Sequence, residues 1–187
     1  MRILIADDEA IIRLGMTQML EEMGHTVVGA APDGSTAVEM ARTLQPELVI
    51  LDIKMPGMNG LDAAEAIARE RPTPILILTA YGDRELVERA ASQAVYGYLI
   101  KPVQPADLEP ALQVAATRFE QWKDLQKEAS SLKGALEARE VIERAKRLLI
   151  DRDHLSEGDA FRFIQATARR QRRPMRDVAQ EILGERN

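Results

Sequence analysis

Five short apolar segments constrain the fold of this chain more than any other feature of its sequence. Most of them are continuous rather than alternating in hydrophobicity, as is typical of strands that are covered on both faces. Longer segments with helical spacing separate them. This order predicts an α/β fold with a doubly wound, five-stranded parallel sheet and right-handed crossovers. The five segments are residues 3–6, 26–30, 48–51, 75–78 and 98–100.

Polar residues directly follow four of these segments, at the sheet edge where open parallel sheets bind their ligands. Asp7 and Asp8 follow the first segment, Asp52 the third, Thr79 the fourth and Lys101 the fifth. Three carboxylates at one edge repel one another unless a cation joins them, and an all-oxygen ligand set suits Mg²⁺. Asp52 would then be a nucleophile that forms an aspartyl-phosphate, while Lys101 and Thr79 contact phosphoryl oxygens.

Four short motifs in this part of the chain resemble, in order, the signature of two-component response-regulator receiver domains. The resemblance covers about residues 1–122. It implies a flavodoxin-like fold and phosphorylation by a histidine kinase, with Mg²⁺ as the cofactor. It also implies a protein that can dephosphorylate itself but is not a metabolic enzyme. The motifs are Asp7-Asp8, residues 52–60, Thr79-Ala80 and Lys101-Pro102.

The resemblance also implies a role for each residue of the acidic site. Asp52 accepts the phosphoryl group. Asp8 and Asp52 ligate Mg²⁺ directly, Asp7 ligates it through water, and Lys54 contributes its backbone carbonyl. Since only the carbonyl of Lys54 is used, its side-chain type is not constrained by the metal.

A second set of implied roles concerns the response to phosphorylation. Thr79 and Tyr98 would form a switch pair, and Lys101 would contact the phosphoryl group. Phosphorylation would draw Thr79 toward the phosphate and Tyr98 inward. Tyr98 could instead be a half-buried strand aromatic without a switch role.

Apolar residues at helical spacing predict which faces of the helices pack on the sheet. In the first helix this stripe is Ile11, Leu14, Met19 and Met23. In the helix before the last strand it is Leu86, Ala90 and Ala94.

From Asp107 onward the sequence predicts a long helix. Nine apolar positions follow one another at a mean spacing of 3.5 residues, which is the coiled-coil period, with a phase slip around Trp122. We interpret residues 123–132 as a helical linker whose coiled coil allows a homodimer. The alternative is a last receiver helix that packs on its own sheet and then runs into a linker. The nine positions are Leu108, Leu112, Ala115, Phe119, Trp122, Leu125, Ala129, Leu132 and Leu136.

Residues 133–187 predict three further helices, the first over about residues 133–150. Ser156 and Asp159 resemble a capping box that opens the second, and Pro174 suits the first turn of the third. The inward face of the second helix would comprise Ala160, Phe161, Ile164 and Ala168.

The motifs of these helices resemble the ANTAR domain, a three-helix RNA-binding unit of transcription antiterminators. The resemblance covers about residues 130–185 and implies binding to RNA hairpins that compete with a terminator. One departure is visible, because Arg147 stands where a Gly commonly follows the Ala-Lys pair. The motifs are residues 136–139, 142–149, 157–164 and 177–179.

The charge distribution supports a division of the chain into an acidic and a basic part. The net charge is −5, but residues 1–122 carry −8 and residues 133–187 carry +3. The basic side chains could meet RNA phosphates, and Arg planes could stack on unpaired bases. The alternatives are a solvated charged surface, a DNA-binding helix-turn-helix and a protein-binding adaptor. The candidate RNA contacts are Lys146, Arg147, Arg169, Arg170, Arg172 and Arg173.

Composition excludes several other classes of function. The chain has no Cys, so disulfides, thiol catalysis and Cys-ligated zinc or iron–sulfur sites are absent. The presence of only two His residues argues against a Ser-His-Asp triad or a multi-His metal site. No segment approaches the roughly 20 apolar residues that span a bilayer, and no signal peptide is evident. We therefore expect a cytoplasmic protein without membrane contact.

Overall fold

The sheet of this protein has five parallel strands in the order β2-β1-β3-β4-β5. A computed structural model describes residues 1–80 and 95–184. The predicted α/β fold is confirmed, and each predicted strand is present. The strands are β1 (Arg2–Ala6), β2 (Thr26–Ala31), β3 (Leu48–Asp52), β4 (Ile75–Thr79) and β5 (Val95–Ile100).

Six helices accompany the strands in the described part of the chain. The predicted stripe of Leu86, Ala90 and Ala94 lies outside the described residues. The helices are α1 (Ala10–Glu22), α2 (Gly34–Leu44), α3 (Gly60–Glu70), α4 (Pro105–Asp153), α5 (Glu157–Gln171) and α6 (Met175–Ile182). None of these helices is long and apolar enough to cross a membrane.

The chain divides into two compact units. The first unit comprises Met1–Lys123, and the second unit begins at Asp124. The long helix α4 contributes its N-terminal part to the first unit and the rest to the second unit.

Both faces of the sheet are buried, which explains why the strands read as continuous apolar runs. Alternate residues of each strand point to opposite faces. Leu4, Val49 and Ile77 lie in the core that α2 and α3 cover, whereas Ile50 and Leu78 lie in the core that α1 and α4 cover. The helices on both faces leave one open edge of strand ends where polar residues gather.

The predicted inward stripe of α1 is wrong at two positions. Ile11 is 72% exposed and Leu14 is 65% exposed, whereas Met16 and Leu20 are buried against the sheet. The cause is the helical phase. Met16 and Leu20 are four residues apart and lie on one face, together with the partly buried Ile12.

Gly60 brings the start of α3 against the end of β3. A Cβ atom at this position would lie 1.9 Å from the backbone oxygen of Asp52, so only glycine permits this approach. The backbone N–H of Gly60 also donates a hydrogen bond to the carbonyl of Ile53, at 3.0 Å. The loop that follows Asp52 is thereby held close to the strand end.

The long helix is continuous where two helices were predicted. Residues 133–150 do not form a separate helix, because α4 extends without interruption from Pro105 to Asp153. Leu108, Leu112 and Ala115 are buried on the sheet. The alternative prediction is therefore confirmed for the start of α4, which packs on the sheet of the first unit.

An aromatic cluster marks the predicted phase slip in α4. The rings of Phe119 and Trp122 stack with centroids 5.9 Å apart, and Tyr96 of β5 meets Phe119 edge-on at 5.4 Å. The two successive steps of three residues keep Phe119 and Trp122 against the first unit. Beyond them, Leu125, Leu132 and Leu136 are exposed.

The second unit has a small core of its own, built from α4, α5 and α6. Ala145 and Leu149 of α4 pack with Ile164 and Val178. Ser156 caps α5 by accepting a hydrogen bond from the backbone N–H of Asp159, as the capping-box pattern predicted. Phe161 was expected in this core but is exposed, because Ala160, Ile164 and Ala168 already occupy the buried face at intervals of four residues.

Candidate metal centre and basic surfaces

Three carboxylates meet at the carboxyl edge of the sheet, as the sequence predicted. Asp7 and Asp8 follow β1, and Asp52 is the last residue of β3. Each offers an oxygen atom, and these atoms all lie within 4.8 Å of one another. Asp7 is fully buried and Asp52 is 6% exposed, whereas Asp8 is open to solvent. The parallel strands create this cluster because their C-terminal ends lie side by side.

Lys101 joins the two buried carboxylates. Its Nζ atom lies 2.6 Å from Asp7 Oδ2 and 2.9 Å from Asp52 Oδ2. Lys101 directly follows β5, and its backbone N–H donates to the carbonyl of Thr79 at 2.8 Å. An edge strand thereby delivers its ammonium group across the strand ends to the centre of the acidic cluster.

The pKa values of these groups show opposing effects of burial and charge. Burial raises the pKa of Asp52, and the hydrogen bond from Lys101 only partly offsets this. Burial would by itself lower the pKa of Lys101, but its hydrogen bonds to Asp7 and Asp52 outweigh this, so its pKa is raised. Lys101 is therefore a firmly charged ammonium, and Asp52 is a carboxylate that gains from any further positive charge.

The donor set fits a hard divalent cation. All three side chains offer oxygen atoms, which Mg²⁺ prefers, and Mg²⁺ commonly uses only one or two carboxylates and retains several waters. Asp8 is open to solvent, so the cluster has a side on which water and phosphoryl oxygens can complete the coordination. The backbone N–H of Lys54 donates to the Asp52 carboxylate. The role of its carbonyl as a ligand stays a prediction.

Local contacts hold the first strand end in place. Asp7 Oδ1 accepts a hydrogen bond from the backbone N–H of Glu9 at 2.9 Å, which leaves Oδ2 for Lys101. The guanidinium of Arg13 donates to the carbonyl oxygens of Asp7 (2.7 Å) and Asp8 (3.1 Å). The sequence reasoning missed Arg13. Its position one turn into the helix after the acidic pair was the available signal.

The two predicted switch residues occupy different environments. Thr79 is buried at the end of β4, and its hydroxyl donates to the carbonyl of Ala80 at 3.2 Å. Tyr98 lies in β5 opposite Ile77, and its side chain is 57% exposed. Thr79 lies at the same sheet edge as Asp52 and Lys101. A coupled movement of Thr79 and Tyr98 stays a prediction.

The two adjacent basic residues Lys146 and Arg147 of α4 have different surroundings. Lys146 is almost buried, and its Nζ atom lies 3.0 Å from Glu143 and 2.9 Å from Glu157. This ion pair connects α4 to the start of α5. Arg147, the next residue, is exposed and has no ion-pair partner among the described residues. Adjacent residues on a helix point about 100° apart, which explains their different surroundings.

The other predicted RNA contacts lie at the end of α5 and in the turn before α6. Arg169 and Arg170 are exposed in the last turn of α5, where cations also complement the helix dipole. Arg172 caps this helix with a left-handed backbone. Arg173 is paired with Glu181 at 2.6 Å. Arg169, Arg170, Arg172 and Arg173 together form the turn surface.

Two further basic residues of α4, Arg144 and Arg152, were missed by the sequence reasoning. Arg144 and Arg152 line an open cleft together with Arg147, and Ile182 lines it from α6. Arg152 is also paired with Asp153 at 2.7 Å. The available signal was the spacing of Arg144, Arg147 and Arg152 in the sequence. Residues three and eight positions apart share one face of a helix, so this spacing places the three arginines on the same side of α4.

Comparisons with known proteins cover both units. A family model described as "Response regulator receiver domain" matches residues 3–113, and one described as "ANTAR domain" matches residues 130–183. The transcriptional regulatory protein PdtaR of Mycobacterium tuberculosis is 46% identical over 182 residues, which cover 97% of this chain and 89% of that protein. The chemotaxis protein CheY of Thermotoga maritima is 36% identical over 112 residues, 59% of this chain and 93% of that protein. A solved response regulator receiver domain protein from Clostridium thermocellum superimposes with a TM-score of 0.60 at 30% identity, over 65% of this chain and 98% of that chain.

The Lys101→Met variant tests the electrostatic role of the ammonium group. Without it, two buried carboxylates face each other, so we expect the free energy of unfolding at pH 7 to fall by about 3 kcal/mol. Stability should rise as the pH falls through the raised pKa of Asp52, because the native state then binds a proton that the unfolded chain does not. Added Mg²⁺ should restore stability in the same way.

Urea unfolding followed by the fluorescence of Trp122, the only tryptophan, measures this effect within the first unit. Arg42→Met is the control, since it removes an exposed ion pair with Glu70 in the same unit. The control should show little change and no rescue by Mg²⁺. Equal stability of Lys101→Met and the parent, without response to pH or Mg²⁺, would contradict the assignment.

Proposed function

Because the chain belongs to the response regulators that join a receiver domain to an ANTAR domain, we propose that a histidine kinase phosphorylates it on Asp52 and that this controls RNA binding and transcription antitermination. The observation that carries the proposal is the contact of Lys101 with both Asp7 and Asp52 at the carboxyl edge of the sheet. A buried carboxylate beside a fixed ammonium and two further carboxylates is suited to phosphoryl transfer. The division proposed is a receiver over residues 1–122, a linker over 123–132 and an RNA-binding domain over 133–187.

The chain's own groups provide the nucleophile and two contacts to the phosphoryl oxygens. A carboxylate oxygen of Asp52 attacks the phosphorus atom while the bond from phosphorus to the kinase histidine nitrogen breaks. Lys101 neutralises charge on a phosphoryl oxygen, and the hydroxyl of Thr79 donates a hydrogen bond to another. A bound Mg²⁺ would supply a positive charge to the phosphoryl oxygens, held by Asp8 and Asp52 directly and by Asp7 through water. Hydrolysis of the acyl phosphate by water returns the carboxylate.

Labelling with ³²P-acetyl phosphate and Mg²⁺ tests the acceptor. We expect the parent chain to gain a label that hydroxylamine removes, because hydroxylamine cleaves acyl phosphates, and we expect Asp52→Asn to gain none. Asp62→Asn is the matched control, since Asp62 is an exposed carboxylate in the first turn of α3. Chelation of Mg²⁺ should abolish labelling of the parent. Equal labelling of Asp52→Asn and the parent would refute phosphorylation on Asp52.

The second unit supports the RNA-binding half of the proposal. Its excess of basic residues contrasts with the acidic first part of the chain, and the turn surface presents several of them to solvent. Guanidinium groups bind phosphates in a bidentate manner and stack on unpaired bases. Lys146 contributes differently from the other predicted contacts. Since its ammonium is engaged by Glu143 and Glu157, we propose that it holds α4 and α5 together beneath the RNA-binding surface.

Replacing Arg172 and Arg173 by Gln tests the turn surface. We expect hairpin RNA to bind the variant about tenfold more weakly, with a salt dependence reduced by about one counterion per lost phosphate contact. Lys127→Gln is the control, since it removes an exposed charge from α4. Competition with duplex DNA separates RNA from DNA recognition. Tighter binding of DNA would favour a DNA-binding regulator, and salt-insensitive binding of protein without RNA would favour an adaptor.

Dimerisation through α4 is the third part of the proposal. Leu125 is 65% exposed, and Leu132 and Leu136 on the same helix face are exposed as well. Their spacing of seven and four residues is that of a coiled-coil seam, and the charged residues Asp124 and Glu128 flank it. The occupant that fits such a seam is the same seam of a second copy. A dimer would carry two RNA-binding surfaces and gain avidity for paired hairpins.

The double variant Leu125→Glu with Leu132→Glu should prevent this dimer, because four carboxylates would face one another across the seam. Sedimentation velocity over a range of loading concentrations, with and without acetyl phosphate, measures the change. Ser130→Glu with Ser131→Glu is the control, since it adds the same charge on the opposite helix face. We expect the control to dimerise like the parent. A parent that stays monomeric in both conditions would exclude the dimer.

A further inference from the structure

The second unit contains an open cleft of about 660 Å³ between α4 and the end of α6. Arg144, Arg147 and Arg152 line one side of it, and Asp151 lies among them. Leu148 and Ile182 provide apolar surface. The cleft is wide open to solvent and combines the guanidinium groups of Arg144 and Arg147 with one carboxylate and an apolar wall, while Arg152 is paired with the adjacent Asp153 at 2.7 Å.

The helical geometry of α4 explains how the cleft arises. The lining residues of α4 follow Arg144 at intervals that place their side chains on one face of the helix. They are Arg147, Leu148, Asp151 and Arg152, which are three, four, seven and eight residues after Arg144. Lys146 points elsewhere, into its ion pairs with Glu143 and Glu157. Arg147 is therefore the member of this Lys-Arg pair whose side chain lines the cleft. The positive character of the cleft therefore depends in part on Arg147.

The cleft lies at the opposite end of α6 from the turn surface. The turn surface precedes the start of α6 at Met175, whereas Ile182 is the last residue of this helix. An eight-residue helix is about 12 Å long. One RNA molecule can therefore contact the turn surface with its backbone and still reach the cleft.

We propose that the cleft binds a single unpaired nucleotide from the loop of the RNA hairpin. The guanidinium groups of Arg144 and Arg147 would hold its phosphate, and Leu148 with Ile182 would cover one face of the base. The carboxylate of Asp151 accepts but does not donate hydrogen bonds, so it favours a base with an amino group on its edge. A paired base cannot enter, because its edge and faces are occupied within the duplex. This inference rests on the RNA binding proposed above and adds the part of the RNA that is recognised.

The test uses the full chain and a pool of RNA hairpins with a fixed stem and a randomised loop, with the blunt stem duplex as a second probe. We expect Arg144→Gln with Arg147→Gln to bind the hairpin pool about tenfold more weakly and to bind the stem duplex as the parent does. Lys133→Gln with Arg162→Gln is the control, since it removes two exposed charges of the second unit outside the cleft. Arg147→Lys should recover part of the lost affinity.

Selection from the same pool tests the role of the carboxylate. The parent should enrich a base with an amino group at one loop position, and Asp151→Asn should change that preference with little change in affinity for the stem. If the cleft variant binds hairpin and duplex equally weakly, or binds both like the parent, the loop-nucleotide inference is wrong while RNA binding stands. If the parent itself retains no hairpin, the proposed RNA binding fails first. Circular dichroism of each variant confirms that its helices are intact.

Discussion

The contact of one ammonium group with two buried carboxylates is the constraint on which the first unit depends. Asp7 is fully buried and Asp52 nearly so, and a buried charge is tolerated only where an opposite charge and hydrogen bonds compensate it. Lys101 provides that compensation from the end of β5. Three strands must therefore end at the same edge of the sheet and in register. The order β2-β1-β3-β4-β5 accomplishes this, with β1 and β3 adjacent and Lys101 extending past β4.

The same balance explains how such a site can respond to a ligand. Burial raises the pKa of Asp52, and the nearby charge of Asp7 adds to this, so a further positive charge would stabilise the Asp52 carboxylate. A phosphoryl group on Asp52 would replace one negative charge by about two, and these would compete for Lys101. Lys101 is also fixed to β4 through its backbone hydrogen bond to Thr79. A change in the partner of the ammonium group therefore acts on the neighbouring strand ends, where Thr79 is buried.

The sequence predicted the sheet and the acidic site well because both depend on local, strongly constrained patterns. A strand buried on both faces must be apolar throughout, and charged residues that end such a strand must be paired with an opposite charge or bind a ligand. Helix faces were harder to predict. Ile11 and Leu14 belong to an apolar group that spans more than one face of α1, so periodicity alone did not identify Met16 and Leu20 as the buried pair. The continuity of α4 through residue 133 was also missed, because Ser130, Ser131 and Gly134 weaken a helix without stopping it.

The assignment of Lys146 shows why charge alone is a poor guide to a binding surface. In the sequence, Lys146 and Arg147 are two adjacent cations, equally suited to RNA. In the fold, a rotation of about 100° per residue separates them. The lysine satisfies Glu143 and Glu157 and stabilises the join of α4 and α5, while the arginine keeps its charge for the cleft. The excess of three positive charges in residues 133–187 is small, and part of the basic charge is consumed by internal ion pairs. Affinity for a polyanion must then come from a few well-placed guanidinium groups, and recognition that relies on few contacts gains most from a shaped cleft and from a second copy of the chain.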